Sequence, residues 1–320
     1  MRYRLLGRTG LSVSEIGFGA WGIGGETPGP TSYGRTNDDV SIAALRRALA
    51  RGINFYDTSN VYGYGRSESL IGEAFTDCRE KVVIASKVGF IDYQQEPNYT
   101  VSWIEKSLEG TLRRLRTDRV DLLQFHNASA KELSALPETM QLFENLKRAG
   151  TIKAIGVSVK SPEDIPALLD FFPFDAVQVN FNMMDIRVLR LGLIDLVVKN
   201  NVGLIARTPL AFGFLTGMYS GEEIFHGLDH RSRWPEEQLR LWSKGAKLLH
   251  ESCLESEVIS PIASALRFCL SYEGVTATIP GMLTPEEVDT NIDSIASGPL
   301  EQASLKAVES FHERQSFIVS

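Results

Sequence analysis

At 320 residues and 35.5 kDa the chain can hold two domains or one large barrel, and its 43% apolar and 23% charged residues suit a globular protein with a sizeable core. Its 40 acidic residues outweigh 33 basic ones, and the resulting net charge of -7 argues against a nucleic-acid binder, which usually presents a basic face. No stretch approaches the ~20 apolar residues of a membrane span, and Met1–Gly7 leads into no secretory apolar run.

Cys78, Cys253 and Cys269 are odd in number and far apart, which predicts neither a disulfide framework nor a cysteine metal site. A reducing, cytoplasmic setting fits this usage.

In chain order, residues 2–15 read as a hairpin turning at Arg8-Thr9-Gly10. Eight short apolar runs follow: Ile16 to Gly19, Ile53 to Tyr56, Val82 to Ala85, Leu122 to Phe125, Ala154 to Val157, Ala176 to Val179, Gly203 to Ala206 and Val275 to Ile279. Their nearly continuous apolar character predicts strands buried on both faces. Helix-period segments alternate with them: Ile42, Leu45 and Leu49; Val101 through Leu115; and Ile186, Leu189, Leu193 and Leu196.

Ser161-Pro162, Ser260-Pro261 and Thr284-Pro285 each place a capping hydroxyl before a first-turn proline. Eight alternations predict a (β/α)8 barrel. The competing doubly wound sheet would carry a glycine fingerprint that Gly17, Gly19, Gly22, Gly24 and Gly25 do not form. Residues 211–234 read as a long insertion after the seventh strand and residues 298–320 as a tail. With no repeat and no linker, one domain over 1–320 is expected.

Barrel chemistry sits where the strands end. The second strand ends in Asp57 with Tyr62 on the following loop, the third in Lys87 and the fourth in His126. Singly, each has an ordinary structural explanation: a turn-capping Asp, a half-buried aromatic, a satisfied core histidine. A lysine closing an apolar run is harder to dismiss, because it needs a partner, and Asp57 on the adjacent strand is the candidate. Together the four suit proton delivery. The ammonium of Lys87 is expected to lower the pKa of Tyr62, Asp57 to hold Lys87, and His126 to bind the reacting oxygen. That set fits carbonyl reduction, and His126 has no companion at metal-ligand spacing.

These segments resemble the aldo-keto reductase superfamily over essentially the whole chain. Gly52-Ile53-Asn54-Phe55-Tyr56-Asp57-Thr58-Ser59 through Tyr62-Gly63 is similar to its strand-two signature, Ile84-Ala85-Ser86-Lys87 to its lysine motif and Asp121-Leu122-Leu123-Gln124-Phe125-His126 to its histidine motif. The resemblance implies a catalytic tetrad of Asp57, Tyr62, Lys87 and His126 and a nicotinamide cofactor, NADP or NAD, lying across the rim. It further implies cofactor contacts at Gly19, Ala20, Trp21 and Asp57, and carboxamide ligands at Ser158 and Gln178, with Val159 where an Asn is usual. Arg207 falls where many members stack an aromatic ring. Pro209, Leu210, Gly213, Leu215 and Gly217 resemble the pyrophosphate-covering loop, and Ile279, Gly281, Met282, Glu287 and Asn291 the adenosine end.

Positions 281–287 carry no cation, and Glu287 falls where an Arg often binds a 2'-phosphate. A carboxylate there favours NAD, whereas Thr284 to Glu287 also reads as a helix capping box. Trp21, Tyr62, Phe90, His126 and Trp234 are expected to line an aromatic substrate pocket. His230, Arg231 and Arg233 read as a solvated loop.

The leading expectation is an NAD(P)-dependent reductase or sugar dehydrogenase acting on a small-molecule carbonyl, with no nucleic-acid or membrane partner and no indicated oligomer. Two alternatives remain: a slow cofactor-sensing regulatory subunit resembling potassium-channel β subunits, and a Schiff-base aldolase using Lys87.

Overall fold

Each of the eight apolar runs is a strand of one parallel sheet. The computed structural model describes residues 1–254 and 259–319; of the expected tail, Ser320 lies outside the described residues. An antiparallel hairpin, β1 (Tyr3–Leu5) and β2 (Ser12–Ser14), comes first. The barrel strands follow as β3 (Phe18–Gly19), β4 (Phe55–Asp57), β5 (Val83–Val88), β6 (Val120–His126), β7 (Ile152–Ser158), β8 (Ala176–Asn180), β9 (Gly203–Arg207) and β10 (Val275–Ile279). They lie side by side in chain order.

The seam between β10 and β3 is closed by backbone. Gly17 N donates to the Thr278 carbonyl at 2.8 Å, Thr278 N to the Glu15 carbonyl at 2.9 Å and Gly19 N to the Pro280 carbonyl at 2.9 Å. A Cβ on Gly19 would stand 2.7 Å from the Ile279 carbonyl oxygen, so the strands approach this closely only because that residue is glycine. The result is a (β/α)8 barrel.

Around it run α1 (Asp38–Ala50), α2 (Arg66–Phe75), α3 (Val101–Leu115), α4 (Ala130–Ser134), α5 (Pro137–Ala149) and α6 (Ile165–Phe171). After these come α7 (Arg187–Arg190), α8 (Leu193–Lys199), α9 (Glu236–Cys253), α10 (Pro261–Leu270), α11 (Pro285–Ser294) and α12 (Gln302–Phe311).

Two local expectations are corrected. The apolar period from Ile186 to Leu196 is broken into α7 and α8, because Gly192 takes the left-handed conformation (φ 64°) between them. Ser161 caps nothing: its hydroxyl turns to the Glu163 carboxylate, and a 3-10 turn precedes α6. Ser260 and Thr284 do cap, accepting from Ala263 N and Glu287 N.

The core has two parts. Outward-facing strand residues such as Tyr56, Ile84, Leu123, Phe125 and Val157 pack under the helices. Inside the barrel, Phe55, Ala85, Leu122, Ala154, Ala176, Ile205 and Ala277 meet Leu6 and Val13 of the hairpin, which plugs the floor. Arg4 bolts this plug in place, donating to the carbonyls of Val275 at 2.6 Å and Leu270 at 3.0 Å.

With the lower barrel filled, the alternation of strand side chains leaves the next inward residues at the mouth. The tail is no irregular segment, since α12 packs on α9 and Gln238 fixes the backbone of Phe317 and Val319.

Candidate active site

Period-two alternation sets the inner wall. On β5, Ala85 faces in, so Lys87 does too; on β6, Leu122 is followed inward by Gln124 and His126. Register then carries the polar layer round the barrel: His126 lies opposite Ser158, Ser158 opposite Gln178 and Asn180 opposite Arg207. The four proposed catalytic side chains and the two proposed carboxamide ligands thus arise from one inward-facing set plus the loop after β4.

Lys87 is 0% exposed and Asp57 2%. Lys87 Nζ donates to Asp57 Oδ1 at 2.5 Å, to the Thr58 carbonyl at 3.0 Å and to Tyr62 Oη at 3.3 Å. Every proton of the ammonium therefore has an acceptor. No lone pair is left for a Schiff base while these contacts hold. The other oxygen of Asp57 accepts from Gln178 Nε2 at 2.7 Å and Gln124 Nε2 at 3.2 Å. A buried charge pair needs this saturation, because an unmet lone pair or proton in the interior is costly.

The expected effect of Lys87 on Tyr62 is corrected. Burial raises the Tyr62 phenol above its ordinary value, Asp57 adds to the rise and Arg207 opposes it. The charge of Lys87 is engaged by Asp57, so the phenol keeps its proton in the protein alone. Burial also lowers the pKa of Lys87, with Asp57 opposing. Burial drives His126 well below the ordinary imidazole range, and the charges of Lys87 and Arg207 push the same way. The ring is therefore neutral at physiological pH. Its Nδ1 lies 3.2 Å from Ser59 Oγ. Phe90 packs edge-on against His126 with ring centroids 4.8 Å apart, and Tyr62 does so at 6.0 Å.

The remaining expected positions fall on the same rim but differ in availability. Trp21 is half-buried, its ring 6.5 Å from Tyr62. Gly19 and Ala20 have their amides committed, to the Pro280 and Asp57 carbonyls. Pro209, Leu210, Gly213, Leu215 and Gly217 lie in a turn after β9 where Thr208, Ala211 and Phe212 also have positive φ, a concentration of backbone strain. Ile279 closes β10 and Met282 is buried; Gly281 is exposed with open space beside its Cα. Asn291 is buried on α11. Glu287 is exposed and accepts from Leu283 N at 2.6 Å, a capping contact one residue earlier than a regular capping box. Trp234 packs on His230 with rings 5.2 Å apart, and His230 in turn on Trp21 at 4.5 Å.

The charge run near 230 is not a solvated loop. Asp229 pairs with Arg231 at 2.6 Å, and the guanidinium lies 4.4 Å over the Phe225 ring. His230 is 7% exposed, within 4.5–5.3 Å of the rings of Trp21, Tyr33, Phe212 and Trp234. Only Ser232 and Arg233 of the turn remain exposed.

Tyr33 and Tyr93 escape the sequence reading; the Tyr93 hydroxyl is buried without a hydrogen-bond partner. Gln124, by contrast, was reachable from alternation alone, lying two residues before His126.

The barrel's polar rim joins a buried lysine–aspartate pair to a protonated phenol and a neutral imidazole, a set able to hold and deliver a proton. The aldo/keto reductase family profile matches residues 15–313, and the chain belongs to that family of NAD(P)-dependent carbonyl reductases. It is 30% identical over 320 residues to L-galactose dehydrogenase of Arabidopsis thaliana, covering 97% of this chain and 94% of that one. It is 27% identical over 307 residues to the NADH-specific methylglyoxal reductase of Escherichia coli, covering 91% and 92%. Among solved structures, the glycerol dehydrogenase of Gluconobacter oxydans superposes with a TM-score of 0.80 at 26% identity, covering 98% and 95%. Among the described residues no helix is long and apolar enough to cross a membrane, and no group of three His, Cys, Asp or Glu is placed to hold a metal.

Proposed function

We propose that this chain reduces the carbonyl of a small aldehyde, ketone or open-chain sugar, with Tyr62 as general acid. The observation that carries the proposal is the Lys87 ammonium held between the Asp57 carboxylate and the Tyr62 phenol with all three of its protons hydrogen-bonded. Such a cluster keeps a proton on the phenol until a carbonyl oxygen arrives. It also leaves a cation 3.3 Å from the oxygen that becomes a phenolate.

The chain's own residues fit a nicotinamide dinucleotide. The Nε–H of Arg207 is buried without a partner, Gly281 leaves open space, and Ser158 and Gln178 share only a long 3.3 Å bond that a carboxamide can replace. When bound, the reduced ring supplies two electrons and a proton, as hydride, to the carbonyl carbon.

Every other task falls to the protein. Tyr62 gives its proton to the carbonyl oxygen, completing the alcohol. His126, neutral and beside Tyr62, holds the same oxygen in the tautomer that carries its proton on Nε2, with Nδ1 toward Ser59 Oγ. Trp21, Phe90 and Tyr93 form apolar walls that exclude water and strengthen these contacts. The substrates named in the three relatives, a hexose, a ketoaldehyde and a polyol, are all small and oxygenated. Glu287 on the adenosine side, with no Lys or Arg at 281–287, favours NADH over NADPH.

The test is a panel of small aldehydes, ketones and aldoses with each reduced dinucleotide, read as loss of its absorbance. Turnover of at least one class supports the proposal. Tight dinucleotide binding with no turnover on any class supports a cofactor-sensing role instead.

A further inference from the structure

Arg207 is a cation with no anion in contact. It closes β9 and faces inward two residues after Ile205. Its Nη2 donates to the Val159 carbonyl at 3.1 Å and its Nη1 reaches Asn180 Oδ1 at 3.5 Å, while its Nε has no partner at all. Among the described residues no carboxylate forms an ion pair with it. The nearest route to one runs through Asn180 to Asp185, which is already paired with Arg187 at 2.7 Å. Contrast Lys87, whose charge is met by Asp57 at 2.5 Å. Of the two cations at the mouth, Lys87 is met by a carboxylate at contact, whereas Arg207 feels Asp185 and Asp57 only at longer range. A half-buried guanidinium held only by neutral oxygens raises the local potential, and the low-dielectric walls of a barrel keep that potential from being screened.

We infer that Arg207 biases the site electrostatically toward the reduced, neutral form of the nicotinamide and against the oxidised, cationic form. The inference rests on the dinucleotide reading above. Reduced nicotinamide is uncharged at the ring, whereas the oxidised ring carries one positive charge. A fixed cation at the ring face therefore acts on one redox state only, and only such a difference shifts an equilibrium. Its charge acts in the lowering direction on both Tyr62 and His126, in keeping with its inward place at the end of β9. The couple transfers two electrons, so a tenfold preference for the reduced form raises its bound potential by about 30 mV. The direction suits carbonyl capture: the enzyme fills with reduced cofactor and releases the oxidised form readily.

The test is equilibrium binding, independent of turnover. Dissociation constants of NADH and NAD+, and of NADPH and NADP+, are measured by fluorescence titration for the wild type, Arg207→Met, Arg207→Gln and Arg207→Lys. The expected result is reduced-form preference of about tenfold or more in the wild type. The preference falls toward unity in both neutral variants and persists in Arg207→Lys, which keeps charge but not planarity. Equal preference in the wild type and the neutral variants overturns the inference while leaving dinucleotide binding intact. Failure of the wild type to bind any of the four dinucleotides overturns the underlying reading instead. Two neutral replacements are included so that poor folding of one leaves the comparison available, and wild-type affinities near parity suffice on their own to refute it.

Discussion

Replacing Asp57 by Asn removes one charge and leaves the shape, and its consequence can be worked from the contacts. Lys87 stays fully buried, but its 2.5 Å partner becomes neutral. An amide must also turn its NH2 either toward Lys87 Nζ or toward the donated amides of Gln124 and Gln178, a donor facing a donor in both cases. Breaking a buried ion pair by removing one member costs about 3–5 kcal/mol. An independent bound agrees: stripping the proton from a lysine of ordinary pKa about 10.4 at pH 7 costs about 4–5 kcal/mol.

The sign with pH follows. Burial already lowers the pKa of Lys87, and loss of Asp57's opposing charge lowers it further. Below the unfolded lysine value the unfolded chain then binds a proton that the folded variant does not, so the variant gains stability as pH rises. Urea unfolding followed by tryptophan fluorescence and far-UV circular dichroism should show Asp57→Asn destabilised by about 3–5 kcal/mol at pH 7, the deficit shrinking toward pH 10. Adding Lys87→Met should recover more than half of it. A loss under about 1 kcal/mol at pH 7, or one that does not change with pH, would refute the account of the buried pair.

The histidines give a second handle. Burial lowers the pKa of both His126 and His312, so each contributes stability that is present above about pH 6.5 and lost as pH falls below it. Each accounts for up to about 1.4 kcal/mol per pH unit, and His126→Asn should remove its share of the acid-side slope; an unchanged slope contradicts a neutral His126. At the proposed adenosine end, Glu287→Arg should shift the NADPH-to-NADH affinity ratio by about tenfold toward NADPH. No shift would leave Glu287 with its capping role alone.

The barrel was legible because strands buried on both faces leave uninterrupted apolar runs, and because polar residues ending those runs have nowhere to point but the mouth. Asp57, Lys87 and His126 could be placed by that reasoning before any geometry was known. What stayed hidden depends on contacts between distant loops. The segment around His230 docks on the loop after β3 through the Ser32–Asp229 bridge, and His230 N donates to the Ser32 carbonyl at 2.8 Å. A local Asp229–Arg231 pair lets a charged stretch turn inward, which a count of charges cannot foretell. The break at Gly192 was present in the sequence and was outweighed by the apolar period. The phenol of Tyr62 keeps its proton for a different reason: burial, with the charge of Asp57 added, outweighs the pull of a nearby cation.

The central claim is that Tyr62 supplies the proton while the rest of the cluster holds it ready. It is tested most directly by single-turnover reduction of the best carbonyl substrate in wild type and Tyr62→Phe, with the reduced dinucleotide's affinity measured in parallel. The account predicts a rate lower by about 10²–10⁴-fold with cofactor affinity within about threefold of wild type. A Tyr62→Phe enzyme that turns over at the wild-type rate would contradict it.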